Sequence, residues 1–104
     1  GALGAATPDA LGMRLHTGLV SQALGIVRLR RGDFGGAVEA LLRSIDTRDD
    51  GETSFLLANA YLGLRRLDAA AHWYRRAQAS GYRDPALDKR RALCETVLHE
   101  LPPR

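Results

Sequence analysis

Apolar residues recur along this chain at helical intervals, separated by short polar turns, and the pattern predicts five helices with no strand. Leu11, Leu15, Leu19, Ala23, Ile26 and Val27 fall close to one face of a first helix. Thr7-Pro8-Asp9 supplies its start: Thr7 caps, Pro8 suits the first helical position, and Asp9 complements the positive helix end. Gly12, Gly18 and Gly25 each cost about 1 kcal/mol relative to Ala, and Gly18 offers a point of breakage, but the pattern favours one long helix. Arg30-Arg31-Gly32-Asp33 ends it with cations in the last turn and Gly where a left-handed backbone is needed. The second helix carries Ala37, Val38, Leu41, Leu42 and Ile45, and the third Phe55, Leu56, Ala58, Tyr61 and Leu62. The fourth runs from a cap at about Asp68 to Ser80, where Gly81 stops it. Asp84-Pro85 starts the fifth, which holds Leu87, Leu93, Cys94, Val97, Leu98 and Leu101 before Pro102-Pro103. Leu93, Val97 and Leu101 are expected to dock it on the fourth helix, with Lys89, Arg90 and Arg91 on a solvated face. Turns this short make neighbouring helices antiparallel.

Within this plan the chain repeats itself. Leu24, Gly25, Arg28, Phe34, Ala37, Leu41 and Ser44 are each followed 33 positions later by Leu57, Ala58, Tyr61, Leu67, Ala70, Tyr74 and Ala77. A fixed period of this size marks a helical solenoid in which each unit buries its apolar face against the next. Ala37 and Ala70 are then expected at helix crossings, almost fully buried. Residues 1–6 read as a flexible lead. Residues 7–104 read as one domain, with units over about 18–50 and 51–84 and a capping helix over about 85–101. Leu93-Cys94-x2-Val97 echoes the first-helix pattern 36 residues after Leu57, three late for the period.

These residues resemble the tetratricopeptide repeat, a helix–turn–helix unit patterned W-x2-L-G-x2-Y…A-x3-F…P. Gly25 and Ala58 match its small first-helix residue, Ala37 and Ala70 the small second-helix residue, and Leu41 and Tyr74 the bulky plug. Tyr61 matches the aromatic of the second unit. The departures are Ser21 and Ser54 in place of Trp, Arg28 in place of Tyr, and a closing Pro that arrives only as Pro85. The resemblance implies an all-α fold, a right-handed α-solenoid of antiparallel helix pairs. It also implies a ligand-binding concave surface lined by first helices. Carried onto this chain, that surface comprises Gln22, Ile26 and Leu29, then Phe55, Asn59 and Leu62, then Arg91 and Glu95. The carboxylate clamp of some family members is missing, because Gln22, Ile26 and Leu56 stand at its first Lys and two Asn positions. What remains is an apolar groove with two amides, suited to a helical or extended segment. Asn59 is placed at its centre, against the alternative of an Asn bonded within its own repeat.

Composition narrows the classes. At 104 residues the chain is one small domain, and with 45% apolar residues but only 6% aromatic its core rests on Leu, Ala and Val. The net charge of +3 is too small for a nucleic-acid polyelectrolyte. Lys89 is the sole lysine beside many arginines, which points to a GC-rich, bacterial coding genome. The lone Cys94 excludes an internal disulfide and a thiolate cluster. No apolar run reaches the roughly 18 residues of a membrane span, so membrane insertion is not expected and a soluble, cytoplasmic protein is favoured. The opening Gly-Ala-Leu-Gly-Ala-Ala has no initiator Met and no signal-peptide pattern, and reads as a processed chain or an excised piece.

No constellation for catalysis stands out. His16, His72 and His99 lie on three different helices without ligand spacing, and no cofactor or metal is expected. Arg30-Arg31, Arg65-Arg66 and Arg75-Arg76 offer cations, but two of these pairs suit helix C-termini and none has interleaved stacking aromatics, so no nucleic-acid partner is expected. Trp73, beside the core Tyr74, is expected to point partly outward, packing on the fifth helix or forming a partner contact. The sequence thus favours a non-enzymatic protein-interaction module that binds a peptide or helical segment of a partner within a larger protein or complex. The alternative is a structural unit that self-associates as a homo-oligomer or within a longer repeat array.

Overall fold

A computed structural model describes residues 17–101, and among these the chain is all-helical with no strand. Helix α1 occupies residues 17–30, α2 Phe34–Thr47, α3 Gly51–Gly63, α4 Leu67–Ala79 and α5 Pro85–Glu100. Gly18 is helical, directly after Thr17, the first of the described residues. The start expected at Thr7, the lead over residues 1–6 and His16 lie outside the described residues.

Successive helices pack on one another, α2 on α3, α3 on α4 and α4 on α5. Side-chain bonds give their sense. Ser44 near the end of α2 donates to the Gly18 carbonyl at the start of α1 (2.9 Å), while Arg28 near the end of α1 donates to the Gly36 carbonyl at the start of α2 (2.9 Å). The two helices are therefore antiparallel. Arg75–Glu95 and Gln78–Asp88 tie α4 to α5 with the same reversed order. Gln22 of α1 donates to Thr53 of α3 (3.0 Å), and Arg90 of α5 to Asn59 of α3 (2.7 Å). Both of these bonds span 31 residues, so α5 lies beside α3 much as α3 lies beside α1.

The turns repeat bond for bond. After α1, the Gly32 N–H donates to Leu29 and the Asp33 N–H to Arg28; after α3, Arg65 donates to Leu62 and Arg66 to Tyr61; after α4, Gly81 donates to Gln78 and Tyr82 to Ala77. This double reach closes orphan helix-end carbonyls and needs a left-handed residue at the turn. Gly32 (φ 76°) and Gly81 (φ 88°) meet it freely, whereas Arg65 holds φ 63° at a position one period after Gly32. Asp33, Asp50 and Asp84 cap α2, α3 and α5 by accepting from backbone N–H groups. α4 differs from expectation: Asp68 lies inside its first turn, and Arg66 is the cap residue without a side-chain bond.

The core forms two clusters. Ala37, Leu41, Leu57 and Ala60 join α2 to α3, with Leu29 of α1 against them. Phe55, Ala58, Ala70, Ala71, Tyr74, Ala77, Leu87 and Cys94 join α3, α4 and α5. Small residues stand where helices approach most closely. A Cβ on Gly25 would lie 2.5 Å from Leu41 Cγ, so only glycine lets α1 reach α2 here. Ala37 and Ala70 are fully buried, as the register predicts. Ala70→Leu is expected to overpack its crossing and lower stability by about 1–3 kcal/mol, read as a reduced urea midpoint with unchanged m; an unchanged midpoint would contradict this register.

Helix α5 departs from its expected orientation. Leu93 and Leu101 are exposed rather than docked, and the buried residues are Leu87 and Cys94, with Leu98 packed beside them. The inner stripe therefore runs Leu87–Arg91–Cys94–Leu98. It stands 34 residues after Thr53, Leu57 and Ala60, the fully buried α3 positions of which Leu57 and Ala60 pack on α2. Arg90 and Arg91, expected in solvent, are half-buried because their stems cover apolar surface while their heads find acceptors.

Candidate functional site

The expected groove residues separate into those that bridge helices and those that present a surface. On α1, Gln22 is half-buried and its amide already donates to Thr53, whose side chain lies in the α1–α3 seam. Ile26 and Leu29 are half-buried, and Leu29 also rests on the α2–α3 cluster. On α3, Phe55 is buried, packed against Tyr74 and Tyr82 with ring centroids 5.9 and 5.4 Å away. The Arg90 guanidinium stands 5.8 Å from its ring centroid. Leu62 is half-buried on the α3–α4–α5 cluster.

Asn59 sits in a polar network. Its Oδ1 accepts from the Tyr74 hydroxyl (2.5 Å) and from Arg90 Nη1 (2.7 Å). The side chain that the resemblance places at the centre of a groove thus joins α3 to both α4 and α5, the alternative in which the Asn bonds internally. Tyr74 is fully buried, and burial pushes its hydroxyl up to about 12, with the Arg90 charge and hydrogen bond pulling the other way. The network satisfies the one polar atom of a large core side chain, which explains an amide in the apolar stretch of α3 that runs from Phe55 to Leu62.

Arg91 and Glu95 stand elsewhere than expected. Arg91 bonds Glu95 (3.0 Å), and Glu95 also accepts from Arg75 of α4 (3.1 Å), so both lie along the α4–α5 seam. The cause is register. The 36-residue echo sets Arg91 and Glu95 opposite Phe55 and Asn59, whereas the observed packing follows a 34-residue offset. That offset places Lys89, Leu93 and Thr96, all exposed, at the positions of Phe55, Asn59 and Leu62. Leu93 is 56% exposed despite being a large apolar side chain in the middle of a regular helix. Sequence reasoning misses it because the echo aligns Leu93-Cys94 with Leu24-Gly25.

Other candidate residues are structural. Trp73 is half-buried and touches both core clusters, with His72 edge-on at 5.3 Å and Arg76 over its face at 5.1 Å. It fills the seam between the two units. Cys94 is buried, and burial raises its thiol above the usual range, as expected of a packing cysteine. A cleft of about 520 Å³ opens at the α4–α5 turn beside Tyr82 and Pro85, but its polar residues Gln78 and Asp88 already bond each other (3.0 Å). Among the described residues no three His, Cys, Asp or Glu side chains gather as metal ligands, and no helix is long and apolar enough to cross a membrane.

Comparison with known protein families, with curated proteins and with solved structures finds no match to this chain.

Proposed function

We propose that the chain is a tetratricopeptide-like protein-interaction module whose ligand is a helical or extended segment of a partner protein, held on the face shared by α1, α3 and α5. The observation that carries this reading is Leu93. A large apolar side chain left 56% exposed, in the register of Ile26 and Asn59 on the neighbouring first helices, carries onto α5 an apolar strip that the bonded Asn59 interrupts on α3. Ile26 and Leu62 supply apolar area on the other two, and Lys89 adds a cation at the strip's edge. Gln22 and Asn59 have their amides engaged within the fold, so apolar anchors rather than these amides select the ligand.

A peptide-display screen against the intact chain supplies ligands for the test. Ile26→Asp and Leu93→Asp are each expected to weaken a selected peptide by about tenfold or more, the loss typical of a hot-spot side chain. Leu93→Asp should leave the melting temperature unchanged, since Leu93 packs against no core cluster. Peptides that bind both variants as tightly as the parent would place the working surface elsewhere.

A further inference from the structure

The outer face of α1 is built like a helix–helix interface and has no partner among the described residues. On α3, Thr53, Leu57 and Ala60 are fully buried, Leu57 and Ala60 against α2 and Thr53 beside Gln22 of α1, and on α5 Leu87 and Cys94 occupy the same register against α4. The α1 counterparts, 33 residues before the α3 set, are Val20, Leu24 and Val27. They are apolar, yet 52%, 38% and 44% exposed. Leu19, also exposed, and Ala23 widen the stripe, whose spacing covers one side of the helix. The opposite side, with Gly18, Ser21 and Gly25, is the one buried on α2. The interior of the fold therefore uses this register for docking at two successive junctions, and α1 offers it to solvent.

The charge pattern favours a second copy of the chain as the occupant. Residues 17–27 contain no charged side chain at all, while Arg28, Arg30 and Arg31 follow directly. A self-complementary contact sets each patch against itself, so any charge within it would meet its own like. This patch carries none. With the two α1 helices antiparallel, the arginines of each copy go to opposite ends of the contact, whereas a parallel pair would bring them together. The sequence just upstream does not repeat the pattern of a docking helix. One period before Ala37, Ala40, Leu41 and Ser44 it has Gly4, Thr7, Pro8 and Leu11, with proline at the plug position. We infer that the chain forms a two-fold symmetric dimer through the antiparallel pairing of α1 with α1 of a second copy, centred on Ala23 and Leu24. The contact is made by α1 alone, on the side of the helix adjoining the one that carries Ile26.

Sedimentation velocity across a dilution series of the intact chain tests this. A monomer–dimer equilibrium is expected, closed at two copies. Val20→Glu with Leu24→Glu should shift the dissociation constant by at least tenfold with an unchanged helical circular-dichroism spectrum, while Leu93→Glu, on the opposite end of the fold, should leave it unmoved. Should the double variant fold poorly, Ala23→Cys gives a second readout. The native Cys94 is buried, so mild oxidation is expected to join two copies through residue 23, whereas Ala92→Cys on exposed α5 should not crosslink. A monomer at all concentrations, open-ended growth beyond two copies, or a dimer indifferent to both α1 changes overturns the inference.

Discussion

Tyr74→Ala is expected to lower the stability of the chain by about 3–5 kcal/mol, the range for removing a buried aromatic side chain. Tyr74 is fully buried between α3, α4 and α5, its ring packs on Phe55, and its hydroxyl donates to Asn59. The substitution therefore opens a cavity and strips Asn59 of one partner. Against a typical total of about 5–15 kcal/mol for a small domain, such a loss leaves a chain that is marginal at room temperature. Urea unfolding followed by circular dichroism measures it. Tyr74→Phe separates the two contributions: it keeps the ring and removes only the hydroxyl, and should cost about 1 kcal/mol. A Tyr74→Ala protein as stable as its parent would show that the α3–α4–α5 core is not organised around this ring.

The same hydroxyl predicts a direction with pH. Burial holds it protonated up to about 12, above the ordinary tyrosine value of 10.0, so between these values the folded chain binds a proton that the unfolded chain has lost. Its contribution is complete below pH 10 and disappears as pH rises toward 12. Alkaline unfolding should begin in that window, and Tyr74→Phe should flatten the part of the pH dependence that belongs to this group.

How much of this structure is legible in the sequence depends on the residue. Gly25, Ala37, Ala58 and Ala70 announce the crossings, because close approach of two helices tolerates only small side chains and these recur at a fixed period. The capping aspartate at 84 and the glycines at 32 and 81 announce their helix ends for equally local reasons, whereas Asp33 and Asp50 cap helices where the sequence reads only as turn, and Asp68, which reads as a cap, lies inside α4. The rotation of α5 is not legible. Its two leucines at 93 and 101 look like core and its arginines at 90 and 91 look like surface, yet long arginine stems cover the core while Leu93 and Leu101 face out. Apolar periodicity cannot distinguish a buried leucine from an exposed one when a charged residue competes for the inner stripe through its methylenes. Asn59 misleads for a related reason. Its partners, Tyr74 and Arg90, are 15 and 31 residues away, and nothing in its local sequence distinguishes an amide that serves a ligand from one that serves the fold.

Truncation after Tyr82 is expected to be the other large perturbation, because it removes α5 as a unit. Leu87 is buried against α4, and its full burial alone contributes about 1.5–3 kcal/mol. Cys94 and Leu98 leave the same cluster, baring apolar surface around Ala71, Tyr74 and Ala77. Arg90 departs from Asn59 and from the Phe55 ring, and the Arg75–Glu95 and Gln78–Asp88 bonds vanish with it. Tyr82 stays and still packs on Phe55, but one aromatic contact does not replace a sixteen-residue helix. In a repeat fold each layer is stabilised by its neighbours, so stripping the last one weakens the unit beneath it. The shortened chain should melt well below the parent, with partial loss of helicity or aggregation in light scattering. The α1–α2 pair, which rests on α3 through Leu29, Leu41 and Leu57, should retain more order than α4 in hydrogen exchange. A truncated chain that keeps the parent's association state and melting temperature would show that α5 merely lies against α4 and contributes nothing to holding it.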